Sequence, residues 1–270
     1  MIRQRMKDLS RFHTFAVCAY KESPYLEECL ASLMAQTCRS SVIIATSTPN
    51  DHIRRTAERF GVPVFENDVS AGIASDWNFA YRMASTPVVT IAHQDDVYCP
   101  EYAGQMYAQI KEARRPLIFF TDYNELRGGR VVTENRLLKV KRIMLTPLKA
   151  RIFSGSRFVR RRILSFGCPI CCPSVAYFKK NLPDTVFETG FKSDLDWQAW
   201  EKISRLKGDF MYCSRPLVLH RIHEGSETSA VIGKAGRGSE DVSMLKRFWP
   251  GWAAKIIERF YSKGEDSNTL

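Results

Sequence analysis

Short apolar runs alternate with amphipathic stretches through the first 120 residues, and this rhythm restricts the chain to a parallel sheet crossed by helices. Phe12 to Ala19 reads as the first strand, and Ser23-Pro24 then caps a helix with Leu26, Cys29, Leu30, Leu33 and Met34 on one face. Ser41 to Thr46 follows as a strand, and a helix from Asn50 or Asp51 stops at Gly61, where a left-handed residue is cheap. The pattern repeats with a strand at Val62 to Glu66, a helix at Ile73 to Met83, a strand at Val88 to Ala92 and a helix at Tyr102 to Ala113. It is lost after a strand at Leu117 to Thr121. Beyond that point Gly128-Gly129 reads as a hairpin turn, Ser174 to Phe178 as a strand, Leu195 to Leu206 as a helix, and Phe210 to His220 as a strand interrupted at Pro216.

The strand over Val88 to Ala92 runs into His93-Gln94-Asp95-Asp96. Open α/β sheets hold ligands at the carboxyl ends of their strands, and two adjacent carboxylates there suit a hard divalent cation. Asp96 is equally placed to cap the helix that begins near Pro100.

The net charge of +11 is localised. Between Arg127 and Arg162 twelve basic residues face a single acid, Glu134, so this segment alone accounts for the charge of the chain. Apolar pairs such as Leu137-Leu138 interrupt it, as in an amphipathic cover facing an anionic surface, an anionic substrate or simply solvent. Few aromatic residues alternate with the arginines as stacking platforms, so nucleic acid is not expected. The tail from Ser239 to Ser262 mixes Trp249, Trp252 and Phe260 with Lys255 and Arg259, a composition for a membrane interface or for packing on its own domain. Eight cysteines without an export signal read as reduced core residues, and Cys168-Pro169-Ile170-Cys171-Cys172 lacks a second pair to complete a zinc site. The charged start and the lack of a long apolar run lead to the expectation of a cytoplasmic chain, peripheral to the inner face of a membrane at most.

With the strands placed, the chain from Phe12 to Ser229 resembles the family 2 glycosyltransferases of the GT-A fold. Phe15 to Thr37 looks like that family's opening strand, tyrosine-containing loop and first helix; the loop touches the nucleotide base, which implies Ala19, Tyr20 and Glu22 as one wall of a donor pocket. Thr46 stands where the family carries an acidic pair, and its hydroxyl can both donate to and accept from a base. Asn67 to Ala80 resembles the glycine-bearing turn and helix along the nucleotide, which implies Asn78 as a donor contact. His93-Gln94-Asp95-Asp96 matches the acidic metal motif with His93 in place of its first acid, so Asp95 is the implied ligand of Mg²⁺ or Mn²⁺ with Asp96 beside it. Gly167 to Ser174 is similar to the acceptor-side loop, and Phe191 to Trp200 to the segment in which Asp194 takes the place of the general base and Asp196 of a supporting acid. Leu219 to Ser229 resembles the closing motif, which implies His223, or alternatively His220, on the cation and Arg221 on the phosphates.

The resemblance implies an α/β protein of GT-A fold, with a mostly parallel central sheet, flanking helices and a C-terminal helical extension. Residues 1–232 are expected to form the catalytic domain, with a nucleotide-binding half near 12–121 and an acceptor-side half near 122–232 that includes the basic segment 127–162, and residues 233–270 the amphipathic tail. The implied activity is inverting, metal-dependent transfer from a nucleotide-diphosphate sugar to a saccharide or lipid-linked acceptor, in cell-surface polysaccharide assembly. The alternatives are a non-catalytic nucleotide-sugar-binding module and a sugar nucleotidyltransferase.

Overall fold

In the computed structural model, which describes residues 7–69, 72–223 and 234–265, the chain builds one large mixed sheet between two layers of helices. The elements run β1 (Lys7–Asp8), β2 (His13–Ala19), α1 (Leu26–Met34), β3 (Cys38–Arg39), β4 (Ser41–Thr46), α2 (Asp51–Phe60), β5 (Val64–Glu66), α3 (Ile73–Met83), β6 (Val88–His93), β7 (Val97–Tyr98), α4 (Tyr102–Ile110) and β8 (Pro116–Arg127). There follow β9 (Arg130–Val132), α5 (Arg136–Leu145), α6 (Arg157–Leu164), β10 (Val175–Phe178), α7 (Leu195–Ser204), β11 (Asp209–Ile222), α8 (Lys234–Leu245) and α9 (Gly251–Glu265).

The strand order is β5-β4-β2-β6-β10-β8-β11-β7, with β9 folded back on β8. The parallel character expected of the sheet belongs to its first four strands and to the β8–β11 pair. Strand β10 enters antiparallel to both neighbours, Ala176 facing Thr90 on one side and Phe119 on the other. Alternating side chains feed two cores. Phe15 and Val17 join α1, α2 and α4 on one face, while Ala16 joins α3, α7 and the C-terminal helices on the other.

Several local expectations change in the folded chain. Ser23 does not cap α1: the residue preceding the helix is Tyr25, and the Ser23 hydroxyl instead accepts from the Tyr25 N–H at 3.3 Å. Met34, expected on the buried face, is 53% exposed, because the apolar stripe of α1 ends at Leu33. Strand β8 continues six residues past Thr121 as the long partner of β11, and the Gly128-Gly129 turn, with φ of 52° and 78°, returns it as β9. Pro216, which has no N–H to donate, coincides with register shifts in β11.

Part of the basic segment is structural. Arg160 is buried and donates to the carbonyls of Ser204, Leu206 and Gly208, closing the C-terminal end of α7. Arg142 pairs with Asp122 at 2.7 Å and Arg161 with Glu201 at 2.6 Å. Its outer side keeps Ile143, Ile152 and Phe158 more than 70% exposed; α9, which lies against α5, adds Trp252 at 72%. The opposite side of the C-terminal helices is core, with Met244, Leu245 and Ala254 inaccessible. Among the described residues no helix is long and apolar enough to cross a membrane.

Candidate active site

Strands β2, β4 and β6 end side by side, Cys18 facing His93 and Ala19 facing Thr46. The loop after β2 is fastened to the loop after β6 by the Gln94 carboxamide, which accepts from the Tyr20 N–H and donates to the Tyr20 carbonyl, both at 3.0 Å. Lys21 takes a left-handed φ of 55°, uncommon for a residue with a side chain, and its N–H donates to the Thr48 hydroxyl. Tyr20 is thereby presented to solvent at 40% exposure, with Glu22 exposed beside it and Ala19 buried behind.

The chain turns sharply after β6, and the antiparallel pairing of β7 with β11 brings the end of β11 against Asp96. Asp96 is fully buried; one carboxylate oxygen accepts from the Arg221 N–H at 2.9 Å and lies 2.9 Å from His220 Nδ1. Its other oxygen is 3.8 Å from His93 Nδ1. That oxygen and His93 Nε2 are buried without hydrogen-bond partners among the described residues. The Asp95 carboxylate lies 3.0 Å from His223 Nε2. His93, Asp95 and Asp96 place one potential ligand atom each within 4.8 Å of one another.

The electrostatics suit a cation. Burial drives the His93 imidazole towards its neutral form, against the pull of Asp96 and Asp95. Burial alone would protonate Asp96, but the His220 charge and hydrogen bond hold its carboxyl below the usual range. His220 itself loses basicity to burial and regains more from Asp96, ending above its ordinary value. A neutral imidazole nitrogen and two carboxylate groups, with two buried ligand atoms unpartnered, fit a divalent ion. Trp77 stacks on His93 at 5.1 Å and fixes the ring.

Other residues singled out in the sequence have local partners. Arg221 donates to the Asp95 carbonyl at 2.8 Å and to Glu28 at 2.5 Å, with its guanidinium 4.3 Å from the Tyr25 ring centre, so it braces the acidic loop from behind. Asn78 is buried; its carboxamide oxygen accepts from Val186 and Phe187 and its amide donates to the Phe187 carbonyl, so it clamps this loop rather than lining a cleft. The buried Thr46 hydroxyl accepts from the Thr48 N–H. The carboxylate at this edge comes instead from Asp76 of α3, bonded to Ser47 and Asn67.

Asp194 and Asp196 lie at the start of α7. Asp196 accepts from the Trp197 N–H at 2.7 Å and from the Cys168 thiol at 3.5 Å. Burial first, then the charges of Asp196 and Asp194, push the Cys168 thiol up, while burial, Asp96 and Asp196 do the same for Cys171. The Cys168–Cys172 loop is thus where the acids after β6 and at the start of α7 are felt together. Lys141 of α5 reaches the Tyr123 hydroxyl at 3.1 Å, beside His220, a placement that no spacing within the basic segment announces. In the closing motif, residues from Glu224 to Ser229 lie outside the described residues.

The family model described as Glycosyl transferase family 2 matches residues 14–187, more than half of the chain. No curated protein matches the sequence. Among solved structures, S. aureus TarS 1-349 in complex with UDP-GlcNAc is similar with a TM-score of 0.66 at 16% identity, over 96% of this chain and 73% of that one. The mannosyltransferase PcManGT from Pyrobaculum calidifontis, in complex with GDP-Man and Mn²⁺, gives 0.58 at 14% identity, over 96% and 76%. Glucosyl-3-phosphoglycerate synthase from Mycobacterium tuberculosis, with Mn²⁺ and UDP-glucose, gives 0.55 at 15% identity, over 88% and 79%. These likenesses establish the GT-A fold.

Proposed function

Because the chain belongs to glycosyltransferase family 2, we propose that it moves a sugar from a nucleotide-diphosphate donor to an acceptor hydroxyl by a single, inverting displacement. The observation that carries this reading is the open ligand set of His93, Asp95 and Asp96 at the carboxyl end of β6. Asp95 and Asp96 hold Mg²⁺ or Mn²⁺ with His223, and His93 joins them; the nitrogen donors favour Mn²⁺. When bound, the ion neutralises charge on the leaving diphosphate. Ala19, Tyr20 and Glu22 form the base-side wall, with Thr46 behind it. Arg221 keeps the Asp95 loop in place from behind, its charge paired with Glu28.

Asp194 takes the proton from the acceptor hydroxyl as its oxygen attacks the anomeric carbon, and Asp196 fixes the turn that carries it. The exposed apolar residues of α5 and α9 beside the basic segment support peripheral contact with anionic lipid. A lipid-linked saccharide in cell-surface polysaccharide assembly fits an acceptor presented at such a face.

A thermal-shift panel of UDP-GlcNAc, UDP-glucose and GDP-mannose, with and without Mn²⁺, tests the donor reading. Metal-dependent stabilisation and nucleoside-diphosphate release that drops about 10²–10⁴-fold in Asp194→Asn are expected. Nucleotide binding without turnover, unaffected by Asp194→Asn and with no acceptor found in a broad screen, would favour a binding module. Equal flotation with neutral and anionic liposomes would remove the membrane contact.

A further inference from the structure

A helix leaves its first N–H groups without intrahelical partners, and an aspartate just before the helix commonly supplies an oxygen to them. Asp194 occupies that position in α7, yet its side chain makes no capping hydrogen bond. The N–H groups that lead into the helix are instead held by Glu240, 46 residues further along the chain. The Glu240 carboxylate accepts from the N–H of Lys192 at 2.9 Å and 3.1 Å, of Ser193 at 2.8 Å and of Asp194 at 3.2 Å. It also accepts from the Ser193 hydroxyl at 2.7 Å. Charge-assisted bonds to consecutive N–H groups at a positive helix end are strong ones. Partial burial would favour the protonated acid, but the bonds from Ser193, Lys192 and Asp194 hold Glu240 below its usual range.

Glu240 is held firmly enough for this task. It projects from α8, whose Asp241, Met244 and Leu245 are buried. Just beyond, the Trp249 indole donates to the Ser165 carbonyl at 2.7 Å, and Arg247 reaches Glu201 on α7. Both ends of α7 are therefore tied to other parts of the chain: Arg160 at its carboxyl end and Glu240 at the turn that leads into its amino end.

We propose that Glu240 is a positioning residue for the transfer reaction: by accepting from the N–H groups of residues 192–194, it fixes the backbone that carries the Asp194 carboxylate at the start of α7. This rests on the assignment of Asp194 as the base and adds that the base is set by a residue outside the family-matched segment 14–187. Without Glu240 these N–H groups lose their common acceptor and the turn before α7 loosens, so the Asp194 carboxylate is no longer held in line with the acceptor. Donor binding depends on the ends of β2, β4 and β6 and is left as it was.

The test compares Glu240→Ala, Glu240→Gln, Asp194→Asn and the Ala/Asn double variant in the full chain. Nucleoside-diphosphate release is followed with the member of the donor panel that stabilises the protein, in Mn²⁺. Glu240→Ala is expected to lower kcat roughly 10- to 100-fold with donor KM unchanged, since misplacing a reacting group by about 1 Å costs this much. Glu240→Gln keeps one acceptor oxygen and falls between, and added formate restores part of the Glu240→Ala rate relative to chloride. Adding Glu240→Ala to Asp194→Asn is expected to lower the rate no further. Amide hydrogen exchange at Ser193 and Asp194 is expected to accelerate in Glu240→Ala without a global loss of protection. Wild-type kcat in Glu240→Ala beside an inactive Asp194→Asn overturns this inference alone, whereas wild-type activity in Asp194→Asn overturns the base assignment and this inference with it. Unchanged exchange at residues 192–194, or a kcat loss matched by weakened donor binding, also overturns it.

Discussion

Strands β2 and β6 lie side by side, and each brings a histidine to an opposite end of the pair: His13 at the start of β2 and His93 at the end of β6. At the amino end every polar group in the network has a partner. His13 Nδ1 is 2.9 Å from the Ser40 hydroxyl and Nε2 is 2.9 Å from the Thr90 hydroxyl; Thr90 continues to Tyr102, which donates to the Ser174 carbonyl. At the carboxyl end His93 Nε2 and an Asp96 oxygen are buried without such partners. A fully satisfied buried network specifies a core, while an unsatisfied one carries a cost that a fold retains where a ligand supplies the missing partner. The same strands thus end in a closed polar network on one side and an open candidate ligand set on the other.

The largest expected effect tests the open end. Asp95→Ala should lower Mn²⁺-dependent nucleoside-diphosphate release by about 10²–10³-fold with little change in melting temperature. A variant within a few-fold of the wild-type rate would break the contrast. Substitution at the closed end should do the reverse. His13→Ala leaves the Ser40 and Thr90 hydroxyls short of a partner and opens a cavity, and should cost about 2–4 kcal/mol in urea unfolding while the rate per folded molecule is kept.

The contrast sharpens with pH. Burial pushes the His13 imidazole down from 6.5 to about 3, so below pH 6.5 the unfolded chain binds a proton there that the folded chain refuses. Its contribution to stability is therefore lost as pH falls through this window, at up to roughly 1.4 kcal/mol per unit. His13→Asn should show a flatter stability–pH curve than wild type between pH 6 and 4, roughly the part of the window reachable before general acid unfolding; superimposable slopes would remove His13 as the cause. The smallest effect concerns the clasp between the two loops: Gln94→Ala removes both bonds to Tyr20 and should raise donor KM several-fold, about 1 kcal/mol, with kcat little altered.

The closed end was hidden in the sequence because His13, Ser40 and Thr90 are far apart along the chain and only strand pairing joins them. The rhythm of the first 120 residues was legible because hydrophobic period and turn residues are local, and β2, β4, β6, α2 and α3 lie within a residue or two of where that period puts them. Strand β10 and the length of β8 were harder, since pairing with β11 decides where β8 stops. In the site, the adjacency of Asp95 and Asp96 at a strand end was readable. The inclusion of His93 in the ligand cluster, the bracing role of Arg221, and the reach of Lys141 and Glu240 depend on contacts between distant segments.

The four residues of β10 join the block β5-β4-β2-β6 to the block β8-β11, and among the described residues no other strand pairs with both. A chain emerging from the ribosome can pair its first four strands early, but it cannot close the sheet until residue 178 is free. Pairing at this sequence distance pays its loop-closure entropy before any contact rewards it, which makes it slow. Until then the edges of β6 and β8 are open to other chains, and the interval between finishing β6 and docking β10 is when this protein is most exposed to aggregation.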